Sequence, residues 1–298
     1  MNPISKYTLL SGLPVGLAIA GYLLQTQVQA QPSAETPQLE LASDRPDWLP
    51  SPAAAPTVLE NVNPSPNTDR VVPGEDDRLP MNNRDYPWSA VGRIVAENAD
   101  GEFSLCTGTL IADDVVLTNA HCAITSETQE LHQRIAFQPN LINGAITNAE
   151  DLAWAEEVLL GTDFTEGRQP DPNDWALVKL DRPLGDRYGT LRWQALPSEI
   201  LLDKAEQLNL VGYSGDFPAD NPGETAGVHQ GCSITQDDDP FWIHDCDTSG
   251  GASGGPILAE IEGEFYVVAL HAGGVTDEND TPLFNYAIKI DQIEAELQ

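Results

Sequence analysis

The chain has 298 residues, 41% of them hydrophobic, with 47 acidic side chains against 14 basic ones and a net charge of −33. That apolar fraction is enough for a core and excludes wholesale disorder, while the length allows one large domain or two ordinary ones. The carboxylate excess excludes nucleic acid and anionic membrane surfaces as partners, because both would be repelled.

The first thirty residues read as an export signal rather than as part of the fold. Lys6 gives a short positive start, Thr8 to Leu24 carries no charge, and Val28-Gln29-Ala30 has the small residues of a signal-peptidase site. The uncharged run is short for a spanning helix and is interrupted by Gly12, Pro14, Gly16 and Gly21, so cleavage near Ala30 is expected, with no stable membrane anchor. The product would be secreted or periplasmic. An oxidising compartment permits disulfides, and four cysteines allow three pairings. No C-x-x-C spacing occurs, so neither a metal nor another cofactor is expected.

Residues 31–80 hold 10 of the 23 prolines and a single aromatic residue, Trp48. This composition predicts an extended, exposed pro-segment or linker over 31–70. From about Tyr86 short apolar runs alternate with Gly, Asn, Asp and Pro clusters: WSAVGRIVA, EFSLCTGTLI, DVVLTNA, WALVKL, QLNLVGY, FWIHDC, EFYVVALHA and LFNYAIKI. Runs of that length and composition predict an all-β sandwich or barrel. Only Ile290 to Gln298 reads as a surface helix. Acidic runs at Asp237-Asp238-Asp239 and Asp277-Glu278-Asn279-Asp280 read as solvated loops, since neither has the D-x-D-x-D-G pattern of a calcium loop.

Three segments carry chemistry. Cys106 to Cys122 ends in T-N-A-H-C, Asp174 heads the apolar run D-W-A-L-V-K-L, and Cys246 to Pro256 reads C-D-T-S-G-G-A-S-G-G-P. A serine hydroxyl becomes nucleophilic only beside a base that is itself oriented by a buried carboxylate. His121, Asp174 and Ser253 supply those types in that chain order, 53 and 79 residues apart. Glycines beside Ser253 let the backbone curl so that the Gly251 and Ser253 N–H groups face a developing oxyanion. The run also matches the G-x-S-x-G elbow of α/β-hydrolases. That fold places its acid and histidine after the serine, and here only 45 residues follow, opening with Pro256 where a helix should start.

From about Val71 to the end these motifs resemble the chymotrypsin/trypsin-like serine peptidases. The resemblance implies two packed six-stranded antiparallel β-barrels, 71–188 with His121 and Asp174 and 189–298 with Ser253, acting as a monomer on protein or peptide substrates. It also implies the disulfides Cys106–Cys122 and Cys232–Cys246. An inactive homologue serving as a binding module would lack one of the three residues, and all are present.

Specificity is read from two places. Asp247, six before Ser253, matches the pocket carboxylate of peptidases that cut after Arg or Lys. Thr248 and Ala269-Leu270-His271-Ala272-Gly273-Gly274 look more like the glutamyl endopeptidase branch. There a hydroxyl and a histidine, matched by Thr248 and His271, receive the substrate carboxylate, with Ala272, Gly273 and Gly274 beside them. Ala252 occupies the position where trypsin-like zymogens hold an aspartate for the new amino terminus. Val71-Val72-Pro73-Gly74 resembles the mature start in the glutamyl branch, so cleavage after Arg70 is expected, leaving 228 residues.

Overall fold

Strand-forming runs from Val91 onward pair into two antiparallel sheets in the computed structural model of the protein. It describes residues 39–42, 46–49, 75–125, 128–161, 163–165, 170–203, 205–276 and 282–298. The expected signal peptide, Val71 and Asp277–Asp280 lie outside the described residues. In chain order, two short strands come first, β1 (Glu40–Leu41) and β2 (Arg78–Pro80). The first barrel follows, with β3 (Val91–Glu97), β4 (Phe103–Ala112), β5 (Val115–Thr118), β6 (Arg134–Pro139), β7 (Ala153–Leu160) and β8 (Ala176–Leu180). Its strands run β7-β6-β3-β4-β5-β8, and pairing of β7 with β8 closes the ring. Closure leaves no edge inside the barrel, the usual solution for a sheet of this kind.

Between the barrels lie a short helix, α1 (Gly185–Tyr188), the strand β9 (Arg192–Trp193) and α2 (Ser198–Leu202). The second barrel has β10 (Leu208–Gly212), β11 (Gly227–Cys232), β12 (Ile234–Asp238), β13 (Phe241–His244), β14 (Pro256–Ile261), β15 (Glu264–Thr276) and β16 (Pro282–Lys289). β11 pairs with β10, while β12 pairs with β13 at the other end of the sheet. Only Ser233 separates β11 from β12, so they act as one bent strand that closes a six-stranded barrel. α3 (Ile290–Glu296) ends the chain where a surface helix was expected, burying Ile290 and Ile293.

One continuous core runs through both barrels, from Ile94, Leu117 and Leu177 to Tyr213, Leu258 and Leu270. A second cluster, with Leu210, Trp242 and Ile257, fills the rest of the C-terminal barrel. Each such side chain contributes roughly 1.5–3 kcal/mol by leaving water.

Two elements depart from the sequence expectation. The stretch expected to be an exposed pro-segment or linker is not wholly exposed among its described residues. β1 adds in parallel to β7, Leu39, Ala42, Trp48 and Leu49 pack on the core, and the Trp48 ring N–H donates to Glu157 at 3.2 Å. The lone aromatic side chain in a proline-rich stretch was the signal for that docking. β2 precedes the N-terminal barrel in sequence yet pairs with β11 of the C-terminal one, so residues 78–80, expected within the first barrel at 71–188, add to the sheet of the second. The Asp237 carboxylate, expected to be solvated, accepts bonds from Lys289 and Ser198.

Both expected disulfides are present, Cys106–Cys122 and Cys232–Cys246, with Cα atoms 6.1 and 4.9 Å apart. Loops of 16 and 14 residues are each worth about 3 kcal/mol in the chain-entropy picture. Replacing Cys232 and Cys246 together by alanine is therefore expected to lower unfolding free energy by about 3 kcal/mol in urea titration. A midpoint shared with the unaltered protein would contradict this.

Candidate active site

His121 sits in a one-turn 3₁₀ segment, Ala120–Cys122, immediately after β5. Asp174 precedes β8, which pairs with β5, so the ladder Thr118↔Ala176 brings the two residues together. Asp174 is fully buried. Its Oδ2 lies 2.7 Å from His121 Nδ1 and its Oδ1 accepts the His121 backbone N–H at 3.0 Å. Asn119 donates to the Asp174 carbonyl at 2.6 Å, and the Asp174 N–H donates to the Asp171 carbonyl. The carboxylate thus grips both the ring and the backbone of the histidine, leaving Nε2 as the ring nitrogen that faces elsewhere.

Ser253 arrives from the other barrel, on the loop before β14. Its carbonyl accepts the Thr107 N–H at 2.8 Å and lies 3.9 Å from Sγ of Cys122, the neighbour of His121. Thr107 staples the two barrels together and was not legible in the sequence beyond its place in C-T-G. Its hydroxyl donates to the Gly251 carbonyl and accepts the Tyr213 N–H, both at 2.9 Å, and its carbonyl accepts from Thr118 Oγ1. The loop then curls as the glycines permit. Gly251 and Gly254 have φ of +98° and +80°. A Cβ on Gly251 would lie 2.4 Å from the Tyr213 carbonyl oxygen, and one on Gly254 would lie 2.2 Å from that of Thr107. The Ala252 and Gly254 N–H groups turn to the Ser249 and His271 carbonyls, whereas those of Gly251 and Ser253 meet no backbone carbonyl among the described residues.

The candidate pocket residues separate into two kinds. Thr248 is half-buried on the same loop, and Gly273 and Gly274 lie against Tyr286 and Asn285 of β16, with no side chain to fill the wall. The methyl of Ala272 is buried in the core, so only its backbone is available to the pocket. Asp247 is already engaged. Its Oδ2 accepts the Asp77 N–H at 2.7 Å, its own N–H donates to His229 Nδ1 at 2.8 Å, and the carboxylate lies 3.1 Å from that ring.

His271 is buried and paired with a residue that sequence reading missed, His244 of β13. The Cys246 N–H donates to His244 Nδ1 at 3.2 Å, and His244 Nε2 lies 3.1 Å from His271 Nδ1. Burial, with the nearby His121 charge adding to it, pushes His271 down to about 3, and burial beside His271 holds His244 well below the ordinary range. Both rings are therefore neutral near pH 7. The backbone donor leaves His244 with its proton on Nε2, which donates to His271 and leaves that ring with an Nε2–H.

These depressed values have a consequence for acid stability. Between pH 6.5 and about 3 an unfolded chain takes up a proton that the folded His271 refuses, and buried His244 adds an effect of the same sign, so stability falls as pH falls. His271 contributes up to about 1.4 kcal/mol per pH unit in that window and nothing above it. Calorimetry from pH 7 to 4.5 should show a smaller loss in His244→Gln than in the unaltered protein. Parallel curves would refute the assignment.

A family model described as the trypsin-like peptidase domain matches residues 106–270, more than half of the chain and a range that contains His121, Asp174 and Ser253. The chain belongs to that family, the chymotrypsin-like serine peptidases. CLIP domain-containing serine protease B4 of Anopheles gambiae is 25% identical over 241 residues, covering 70% of this chain and 63% of that protein. The chain thus spans less than two thirds of that relative's length. Among solved structures, a Glu endopeptidase superposes with a TM-score of 0.59 at 23% identity, covering 76% of this chain and 99% of that one. The protease Anisep of Arthrobacter nicotinovorans gives 0.55 at 19%, covering 69% and 91%. These structural likenesses bear on the fold.

Proposed function

We propose that the protein is an exported serine endopeptidase that hydrolyses peptide bonds after Glu or Asp through His121, Asp174 and Ser253. The observation that carries the reaction type is the doubly anchored Asp174–His121 pair beside the Ser253 loop. His121 Nε2 takes the Ser253 proton as Oγ attacks the scissile carbonyl. Asp174 holds the proton on Nδ1 and stabilises the imidazolium. The Gly251 and Ser253 N–H groups receive the oxyanion, and the proton then passes to the leaving amine. Water enters by the same route and releases the acyl group from Ser253.

Preference for an acidic side chain is supported by the buried His244–His271 pair, which leaves His271 with a neutral N–H donor at Nε2. Thr248, half-buried on the loop that carries Ser253, is the hydroxyl assigned beside it in this reading. A donor without a fixed charge accepts a carboxylate and gives no counter-ion to lysine or arginine. The rival carboxylate, Asp247, is already bound by a backbone N–H, which counts against cleavage after basic residues. Two disulfides support an oxidising location, and no helix among the described residues is long and apolar enough to cross a membrane. Maturation after Arg70, freeing Val71, is part of the same reading.

A fluorophosphonate should label Ser253 of the matured protein, and a peptide-library digest should cut after Glu and Asp. Labelling with cuts confined to Lys and Arg would overturn the specificity alone. Absence of any adduct would overturn the peptidase reading.

A further inference from the structure

Trypsin-like zymogens order the nucleophile loop through a carboxylate just before the serine. Here that residue is Ala252, buried and so close to Gly212 that a Cβ on the glycine would lie 2.8 Å from the alanine methyl. No charge is available there, so something else must hold the loop that carries Gly251 and Ser253.

We propose that β2 latches this loop, with Arg78 as a positioning residue that acts through Asp216 and Ser249. The inference rests on the peptidase reading above and adds a positioning device to it. β2 is docked on β11 in the register Arg78↔His229, Leu79↔Val228 and Pro80↔Gly227, and the Met81 N–H extends the pairing to the Ala226 carbonyl. From that strand the Arg78 side chain, only 8% exposed, reaches over the Phe217 ring at 4.8 Å. Its guanidinium forks onto Asp216, Nη1 to Oδ1 at 2.9 Å and Nη2 to Oδ2 at 3.1 Å, and is backed by Asp76 through Nε at 2.8 Å. Flanking carboxylates keep Arg78 charged, while its guanidinium holds Asp216 and Asp76 below the usual carboxylate range.

Asp216 hands this hold on to the nucleophile loop. Its Oδ1 also accepts the Ser249 hydroxyl at 2.5 Å. One residue away the Gly215 N–H donates to the Gly250 carbonyl at 2.7 Å, and the Ser249 carbonyl takes the Ala252 N–H at 3.0 Å. A second tie runs from the Asp77 N–H to Asp247 at the start of the same loop. Asp77 and Arg78, neighbours at the start of β2, therefore hold the loop at Asp247 and, through Asp216, at Ser249. A planar, bidentate guanidinium sets both distance and angle, which a flexible ammonium does only in part.

The test compares Arg78→Ala, Arg78→Lys, Asp216→Asn and the double variant Arg78→Ala/Asp216→Asn in the full chain after maturation. Arg78→Ala is expected to slow fluorophosphonate labelling and lower kcat by at least ~10-fold, with KM changed less than about threefold, because oxyanion donors act in the transition state. Arg78→Lys should recover part of the loss, and the double variant should be no worse than the worse single one. Amide exchange should quicken across 249–253 and stay unchanged in the β3–β8 barrel. Unchanged labelling and unchanged exchange would overturn the latch, as would a loss that merely follows the folded fraction. If the unaltered protein takes no label, the peptidase reading fails, and amide exchange still decides for or against the latch.

Discussion

Replacing Asp174 with asparagine is expected to lower kcat by roughly 10⁴-fold, with a much smaller change in KM. The carboxylate meets two donors of His121 at once, the backbone N–H at Oδ1 and the ring Nδ1 at Oδ2. An amide has a single oxygen. With that oxygen kept on the backbone N–H, its NH₂ faces Nδ1, which must then accept and send the ring proton to Nε2. Nε2 is the atom proposed to take the Ser253 proton, so the base is blocked while the fold is kept. Burial adds to the effect, because no water can substitute at a fully enclosed Asp174. Steady-state kinetics beside Ser253→Ala as the inactive control would check it. A variant retaining a tenth or more of kcat would remove Asp174 from the mechanism.

The second large effect concerns His271. His271→Phe keeps a buried ring but removes the donor, and is expected to reduce kcat/KM on Glu-containing substrates by ~10²-fold, the cost of a lost hydrogen bond to a charged group. Substrates with Ala or Leu at the cut site should change little. His244→Phe should show a smaller loss in the same direction, since it acts by keeping the proton of His271 on Nε2. Equal losses on acidic and apolar substrates would mean that His271 supports the loop rather than the specificity. Its N–H donates to the Gly255 carbonyl and its carbonyl accepts from Gly254, so this alternative has a definite structural form.

Much of the architecture was legible because it depends on local pattern. Runs such as VGRIVA and FYVVAL are β-branched and bounded by turn residues, and they appear as β3 and within β15. β7 was missed, since AWAEEVLL is rich in Ala and Glu and becomes a strand only because β6 and β8 flank it. His244 was missed because a single histidine in FWIHDC carries no pattern; β13 and β15 bring it to His271 from 27 residues away. Asp247 looked like a pocket carboxylate by its spacing from Ser253, which says nothing about the Asp77 N–H that occupies it.

By itself the sequence determined the β-rich class, the residue types and order of the catalytic candidates, and the glycines needed for positive φ around Ser253. Each of these follows from local sterics or from chemistry that a short motif carries. Only the tertiary structure decided that Asp174 grips both the ring and the backbone of His121, which histidines pair, and that β2 crosses to the far barrel. Those outcomes depend on contacts between residues tens to more than a hundred positions apart, and only barrel closure and burial bring such groups within hydrogen-bonding distance.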